Sequence, residues 1–470
     1  MPNNRPYLFY ELTNSICSTC YTKIEAKIII ENDCVYMVKR CFKHGMEKVL
    51  ISNDAAYYKQ CREFSKPSEM PLVWNTPVKY GCPYDCGLCP DHEQHSCLTI
   101  VEVTDACNLQ CPICYAEASP ARQTWRSLDE IEYMLDCVVR NEGTPDIVQI
   151  SGGEPTLHPQ FFEILDLAKT KPIRHLMVNT NGIRIAQDRE FVRRLSSYLP
   201  GFELYLQFDS FEKNTLMELR GADLRDIRKK AIEHLNEFNI STTLVVTLKK
   251  GLNDHEVGEI IQYGLKQRAV RGVTFQPIQI AGRLEQFDPV QDRLTLGEVR
   301  RMIIDQSGVF NEEDIIPVPC HPDCLAMGYA LKMGEQVTPL TGMIDPEILL
   351  EGGRNTIVFE QDETLKAKVF QLFSLNHSPA SSFSSLKELL CCLPKVMLPK
   401  SLGYDHVFRV LIMQFLDPYN FDVRSVKKSC VHIVHPDGRI IPFDTYNMFY
   451  RDDKEEQLQE MREQMEIQRG

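Results

Sequence analysis

No stretch of this 470-residue chain approaches the roughly 18 consecutive apolar residues that a membrane-spanning helix needs. The polar start, MPNNRPYLFYE, has neither the basic nor the apolar region of a secretory signal. Positive charge is also in short supply, with 52 Lys and Arg against 65 Asp and Glu and a net charge of -13. That balance argues against a large nucleic-acid footprint, because phosphate binding needs a basic face. These absences predict a cytoplasmic protein whose substrate is a small molecule, a lipid or a peptide.

What the chain has in quantity is cysteine, 18 in all. In a reducing compartment, clustered Cys-x-x-Cys spacings mean metal ligands far more often than disulfides. The length exceeds one ordinary core, so a main domain with smaller appendages is expected. Residues 1–97 are cysteine-rich with short β-like runs such as AKIII and CVYMVKR, the pattern of a metal-stapled module. Residues 286–470 are mixed α+β, with PVPCHPDC, the helix-like SSLKELLCCLPKVML and HVFRVLIMQFL, the hairpin-like CVHIVHPDGRIIPF and a charged helical tail.

Between them, residues 98–285 alternate β-rich runs with amphipathic segments. The strands are read at 98–104, 146–151, 174–179, 203–209, 242–248 and 272–277, with helices at LDEIEYMLDCVVRN and FFEILDLAKT. Such β/α units make a mostly parallel sheet, and six of them make a partial (β/α)6 barrel in an α/β fold. Chemistry in these folds sits at the C-terminal ends of the strands.

The spacing Cys-x3-Cys-x2-Cys occurs twice, as Cys82, Cys86, Cys89 and as Cys107, Cys111, Cys114. The second triplet follows the first barrel strand. Three thiolates can hold three irons of a 4Fe-4S cube and leave the fourth iron open, as catalysis at a metal requires. At the end of the next strand stands SGGEPT, where Gly152 and Gly153 allow close backbone approach and Glu154 offers an acceptor for an ammonium group. The first triplet has no such companion loop; Cys97 follows it, and Cys82, Cys86, Cys89 and Cys97 read as a closed auxiliary cluster or a four-cysteine zinc site.

Triplet, Tyr115 and Gly-Gly-Glu-Pro loop together resemble the radical S-adenosylmethionine (SAM) superfamily. The resemblance implies that the open iron chelates the amino and carboxylate groups of SAM, with Glu154 and its loop holding the amino group, and that a reductant such as ferredoxin or flavodoxin supplies electrons. It also places Asn179, Asn181, Gln207, Asp209, Thr247 and Gln276 at strand ends where family members contact SAM. The alternative for each is an ordinary strand-end or turn residue.

Elsewhere, Cys17 and Cys20 with Cys41 and His44 have the spacing of a mononuclear zinc or rubredoxin-like iron site, with Cys34 as a competing ligand. Cys320, Cys324 and Cys430, with Cys391 or Cys392, are read as a second auxiliary cluster. Cys61 and Cys137 read as core. Over nearly the whole chain this order of parts resembles the radical enzymes with a doubled triplet, which include archaeal tetraether lipid synthase and the class D radical methylases. That implies carbon-carbon bond formation at unactivated carbon. The expectation taken forward is joining of lipid alkyl chains, with an apolar tunnel from residues 365–416 and peripheral membrane contact; the alternative is methylation of a pterin or other soluble molecule. A peptide-modifying radical enzyme and an iron-sulfur electron carrier rank below both.

Overall fold

The computed structural model describes residues 5–284, 287–334, 336–344, 350 and 404–469. Four antiparallel strands, β1 (Leu8–Ile16), β2 (Lys23–Glu31), β3 (Cys34–Cys41) and β4 (Gly45–Ser52), form a small sheet in sequence order. One face is buried through Ile28, Met37 and Ala55, so the alternation of β2 and β3 sets which side chains point inward.

The second sheet contains all six expected strands, now bounded as β5 (Leu98–Glu102), β7 (Ile147–Ser151), β8 (His175–Thr180), β9 (Phe202–Gln207), β10 (Thr242–Leu248) and β11 (Val270–Pro277). They pair in parallel, in that order. Every residue of β5 and of β7 is buried, because amphipathic helices cover the outside and the chain fills the inside. The helices at Leu128–Glu142 and Phe161–Thr170 lie where their periodicity places them, the first opened by a capping box of Ser127 and Glu130. Short ladders complete the middle of the chain: β6 (Ile113–Cys114) pairs with β12 (Arg283–Leu284), and β13 (Ile316–Pro317), β14 (Leu325–Met333) and β15 (Gln336–Pro339) pair antiparallel.

The last part of the chain returns to the barrel. β16 (Val407–Met413) pairs in parallel with β11 on one edge, and β17 (Val431–Val434) pairs in parallel with β5 on the other. The parallel run therefore has eight strands rather than six. HVFRVLIMQFL, expected to be helical, is strand β16; a strand buried on both faces is a continuous apolar run and has no period of 2 to betray it. β17 turns back as a hairpin with β18 (Ile440–Pro442), as its Asp-Gly turn predicts. The expected helix around Cys391 and Cys392, and most of the expected tunnel, lie outside the described residues.

Inside the barrel near the strand starts, Glu203 is fully buried and accepts from His175 Nε2 at 3.1 Å, from Thr243 Oγ1 and from Arg409 Nη2 at 2.6 Å. Arg409 comes from β16, so one buried ion pair ties the late strand to the core. Arg409→Met would leave that carboxylate without its guanidinium, and we expect unfolding free energy to fall by about 3–5 kcal/mol in urea titration, more than a surface ion pair would cost.

Candidate active site and metal centres

The loop from Thr104 to Tyr115 hangs from the end of β5, and its path is set by the Gly-Gly-Glu loop at the end of β7. Gly153 N–H donates to Thr104 O and Glu154 N–H to Ala106 O, both at 2.8 Å. A Cβ on Gly152 would meet Thr104 O at 2.1 Å, and one on Gly153 would meet Ala106 O at 2.1 Å. Gly152 also has φ +128°, which side chains disfavour. The glycines thus let two loops lie backbone to backbone just before Cys107.

Glu154 finds partners within the chain. It is 1% exposed, and its carboxylate accepts from Thr156 N and Oγ1, from Thr180 Oγ1 at 2.8 Å and from Asn181 N at 2.7 Å. A buried carboxylate must be satisfied. Here the chain supplies four donors, three to Oε1 and one to Oε2, so Glu154 ties the loop after β7 to β8.

Asp209 is likewise committed. It is fully buried at the end of β9, with Arg220 donating to both carboxylate oxygens at 2.8 and 2.6 Å and Arg228 to one at 2.8 Å. Burial opposes its charge, yet the two guanidiniums hold it below the usual carboxylate range. Asp209 does not reach the cavity; Arg220 does. The sequence reading missed Arg220, because a buried arginine at the end of a short helix is distinguished from an exposed one only by the partner it meets.

The cavity at the C-terminal ends of the strands encloses about 1230 Å³, counting its open mouth. Cys107, Cys111 and Cys114 line it together with Tyr115, Gly152 and Gly153. Asn179, Asn181, Gln207, Thr247 and Gln276 line it as well, each from its own strand end. Gln149 and Gln279 add two further amides, and Gln279 Oε1 is buried without a partner. Leu98, Ile100 and Val431 form its deep apolar part. Burial pushes the Cys107 thiol up to about 12 and raises Cys111 too, against the pull of Arg220. Three thiols on one cavity wall, Cys111 buried and Cys107 and Cys114 partly exposed, with no fourth cysteine among the lining residues, a nearby guanidinium and an unpaired amide oxygen, fit a cluster with one open iron and a polar ligand on it.

The other cysteines group differently from their spacing. Cys17, Cys20, Cys41 and His44 come together with ligand atoms all within 4.8 Å, and Cys34, at the start of β3, is not in the group. Cys97, however, gathers with Cys320 and Cys430, all three within 4.8 Å and buried. Cys97 immediately precedes β5 and Cys430 immediately precedes β17; Leu98 N–H donates to Cys430 O at 3.1 Å, so strand register sets the two side by side. Cys82, Cys86 and Cys89 stand apart from Cys97, with Cys82 in hydrogen-bond reach of Cys86. Cys324 is buried near Asp323, Asp422 and Asp444 and is not in the Cys320 group. Cys61 and Cys137 are buried core residues.

Residues 101–264 match the Radical SAM superfamily, and residues 9–53 match the HMPTM N-terminal zinc ribbon domain. Over 492 aligned residues the chain is 32% identical to a 7,8-dihydro-6-hydroxymethylpterin dimethyltransferase of Methanocaldococcus jannaschii, covering 95% of each protein. The chain belongs to that family of radical SAM enzymes. It is also 28% identical over 203 residues to a GTP 3',8-cyclase of Chlorobaculum tepidum, covering 41% of this chain and 59% of the cyclase. The structure of Streptococcus suis SuiB bound to S-adenosylmethionine aligns with 44% of this chain and 46% of its own, at 16% identity and a TM-score of 0.37. Among the described residues of this radical SAM enzyme, no helix is long and apolar enough to cross a membrane.

Because the glycine pair sets the path of the cysteine loop, Gly153→Ala should push Ala106 aside and with it Cys107. We expect reconstituted Gly153→Ala protein to lose most of one cluster's iron by colorimetric assay, while its far-ultraviolet circular dichroism stays as in the parent.

Proposed function

We propose that this radical SAM enzyme methylates carbon on a reduced pterin, in preference to joining lipid chains. The observation that carries the reading is the whole-length relationship to a dihydropterin dimethyltransferase. The cavity supports it independently. A pterin edge is a row of N–H donors and carbonyl or ring-nitrogen acceptors, and Gln149, Asn179, Gln207, Gln276 and Gln279 offer amides to match such a row. Asn179 donates to Ser151 and Gln276 to Tyr205, and a lipid tail would leave the remaining amide groups desolvated and without partners, at a cost of about 1–3 kcal/mol each. Among the described residues nothing favours a lipid tunnel or a membrane contact.

In this reading Cys107, Cys111 and Cys114 would hold the catalytic 4Fe-4S cluster, and the strand-end amides would help to hold SAM. Bound there, the pair supplies one-electron cleavage of the sulfonium and so a carbon radical able to abstract hydrogen. Arg220, held by Asp209, lines the cavity with the cysteines and would hold the carboxylate of SAM; Asn181 and the backbone at Gly152 and Gly153 would hold its polar end. Tyr115, hydrogen-bonded to Ser151 at 3.2 Å and packed on Phe443 at 5.0 Å, closes the wall and keeps water from the reacting carbon. Cys82, Cys86 and Cys89 hold one auxiliary cluster, Cys97, Cys320 and Cys430 a second, and Cys17, Cys20, Cys41 and His44 a zinc or iron ion with a structural role.

The test is anaerobic. Reconstituted protein is given SAM, a reductant and a reduced-folate one-carbon donor, with either 7,8-dihydro-6-hydroxymethylpterin or an isoprenoid diether lipid. We expect 5'-deoxyadenosine and a methylated pterin by mass spectrometry, neither of them from Cys107→Ala protein. Stimulation by the lipid and not by the pterin would overturn the reading.

A further inference from the structure

The Arg220–Asp209 pair beside the catalytic cavity continues outward to a third residue. Arg228 is 2% exposed and donates from Nη2 to Asp209 at 2.8 Å and from Nε to Phe208 O. In a planar guanidinium Nε and Nη2 share one edge, so Nη1 stands at the far corner, turned away from Asp209. That Nη1 is buried and has no hydrogen-bond partner among the described residues. A buried, charged donor calls for an acceptor.

Arg228 does not line the catalytic cavity. It lines a groove of about 920 Å³, counting its open mouth, between the helices Arg225–Phe238 and Val257–Lys266 and the segment that follows β9. Most charges there are paired: Arg225 with Asp223 at 2.8 Å, and Glu233 with Lys230 at 3.1 Å. Among the lining residues this leaves Arg228 and the exposed Lys229 against the one carboxylate of Asp226. Phe208, Phe211 and Tyr263 give the groove an apolar side; the ring of Tyr263 lies 5.4 Å from that of Phe208, nearly parallel to it, and 5.3 Å from that of Phe211. Phe211 and Tyr263 are only half-buried, so a flat ring can pack on them. A buried guanidinium and an ammonium suit the two charges of a phosphate better than the single charge of a carboxylate.

We propose that this groove binds a small phosphate monoester built on a flat ring, and that its occupancy weakens SAM binding through Arg228, Asp209 and Arg220. The coupling rests on the reading of Arg220 as the residue that holds the SAM carboxylate. Arg220, Arg228 and Asp209 carry two positive charges and one negative. One anion on Arg220 balances the trio, and a second on Arg228 leaves it negative overall. An oxyanion that shares Arg228 also leaves Asp209 to draw harder on Arg220. Each ligand therefore lowers the affinity for the other, as linkage requires.

Phenyl phosphate is the probe, because it has the ring and the oxyanion without the adenosyl group of SAM. The reconstituted full chain is titrated anaerobically with phenyl phosphate, inorganic phosphate and phenol by isothermal titration calorimetry, and its Kd for SAM is measured with and without phenyl phosphate. We expect saturable binding of phenyl phosphate, about tenfold tighter than that of phosphate or phenol, and a several-fold higher Kd for SAM in its presence. Lys229→Glu should weaken phenyl phosphate binding about tenfold and remove its effect on SAM, with iron content, circular dichroism and probe-free SAM cleavage as in the parent. No saturable binding, equal binding of phosphate or of phenol, binding indifferent to Lys229→Glu, or a Kd for SAM that does not rise would overturn the proposal. Failure of the reading of Arg220 shows separately, without the probe: Arg220→Gln protein with full iron content would bind SAM as tightly as the parent.

Discussion

The site depends on one close approach, the contact of the Gly152–Glu154 backbone with Thr104–Ala106. It can form only where two consecutive residues lack a Cβ, and it is held in place because the next residue, Glu154, buries a carboxylate whose four donors come from the loop and from β8. Burial of that charge without those donors would cost several kcal/mol. The loop after β7 therefore has one conformation, and it dictates the path of the loop after β5 that carries the three cysteines.

The same strand serves both ends of the barrel. Cys97 precedes β5 and Cys107 follows it, so the buried Cys97, Cys320 and Cys430 group lies at the opposite end of the strand from the catalytic loop, about 16 Å away by a rise of 3.3 Å per residue. Leu98 and Val431, which line the deep part of the catalytic cavity, are each the next residue after a cysteine of that group. The cavity is in this sense bounded by cysteine groups above and below. The end of the chain completes it: Arg451 donates to both oxygens of buried Glu102 at 3.1 and 2.7 Å and lies over the ring of Tyr115 at 5.6 Å.

Local chemistry was legible in the sequence and long-range pairing was not. The six barrel strands, the loop that brings Cys107, Cys111 and Cys114 to the cavity, and the Cys17, Cys20, Cys41 and His44 group each depend on residues close together in the chain or on a repeating pattern, and spacing suffices for them. Cys97 was assigned to its sequence neighbours because nothing near it reveals that β17, more than 300 residues later, would lie against β5. β16 looked helical for a related reason, since burial on both faces erases the alternation that marks a strand. Asp209 stands at the expected strand end and is held there by Arg220 and Arg228, and Glu154 takes donors from Thr156, Thr180 and Asn181 at its own strand end. A carboxylate at a ligand site and a carboxylate holding that site together look alike until their donors are seen.

That distinction bears on substrate choice. With Glu154 and Asp209 consumed by the scaffold, the cavity retains one guanidinium, Arg220, and a set of neutral amides. Neutral amides discriminate by hydrogen-bond pattern rather than by charge, and they penalise a ligand that leaves them unpaired more than they reward one that fits. On the proposed reading, a flat heterocycle with alternating donors and acceptors would satisfy more of such a set than an alkyl chain. The apolar residues deeper in the barrel, Leu98, Ile100 and Val431, then have a narrower task. In the proposed reaction they would keep water away from the reacting carbon, so that the radical met substrate and not solvent.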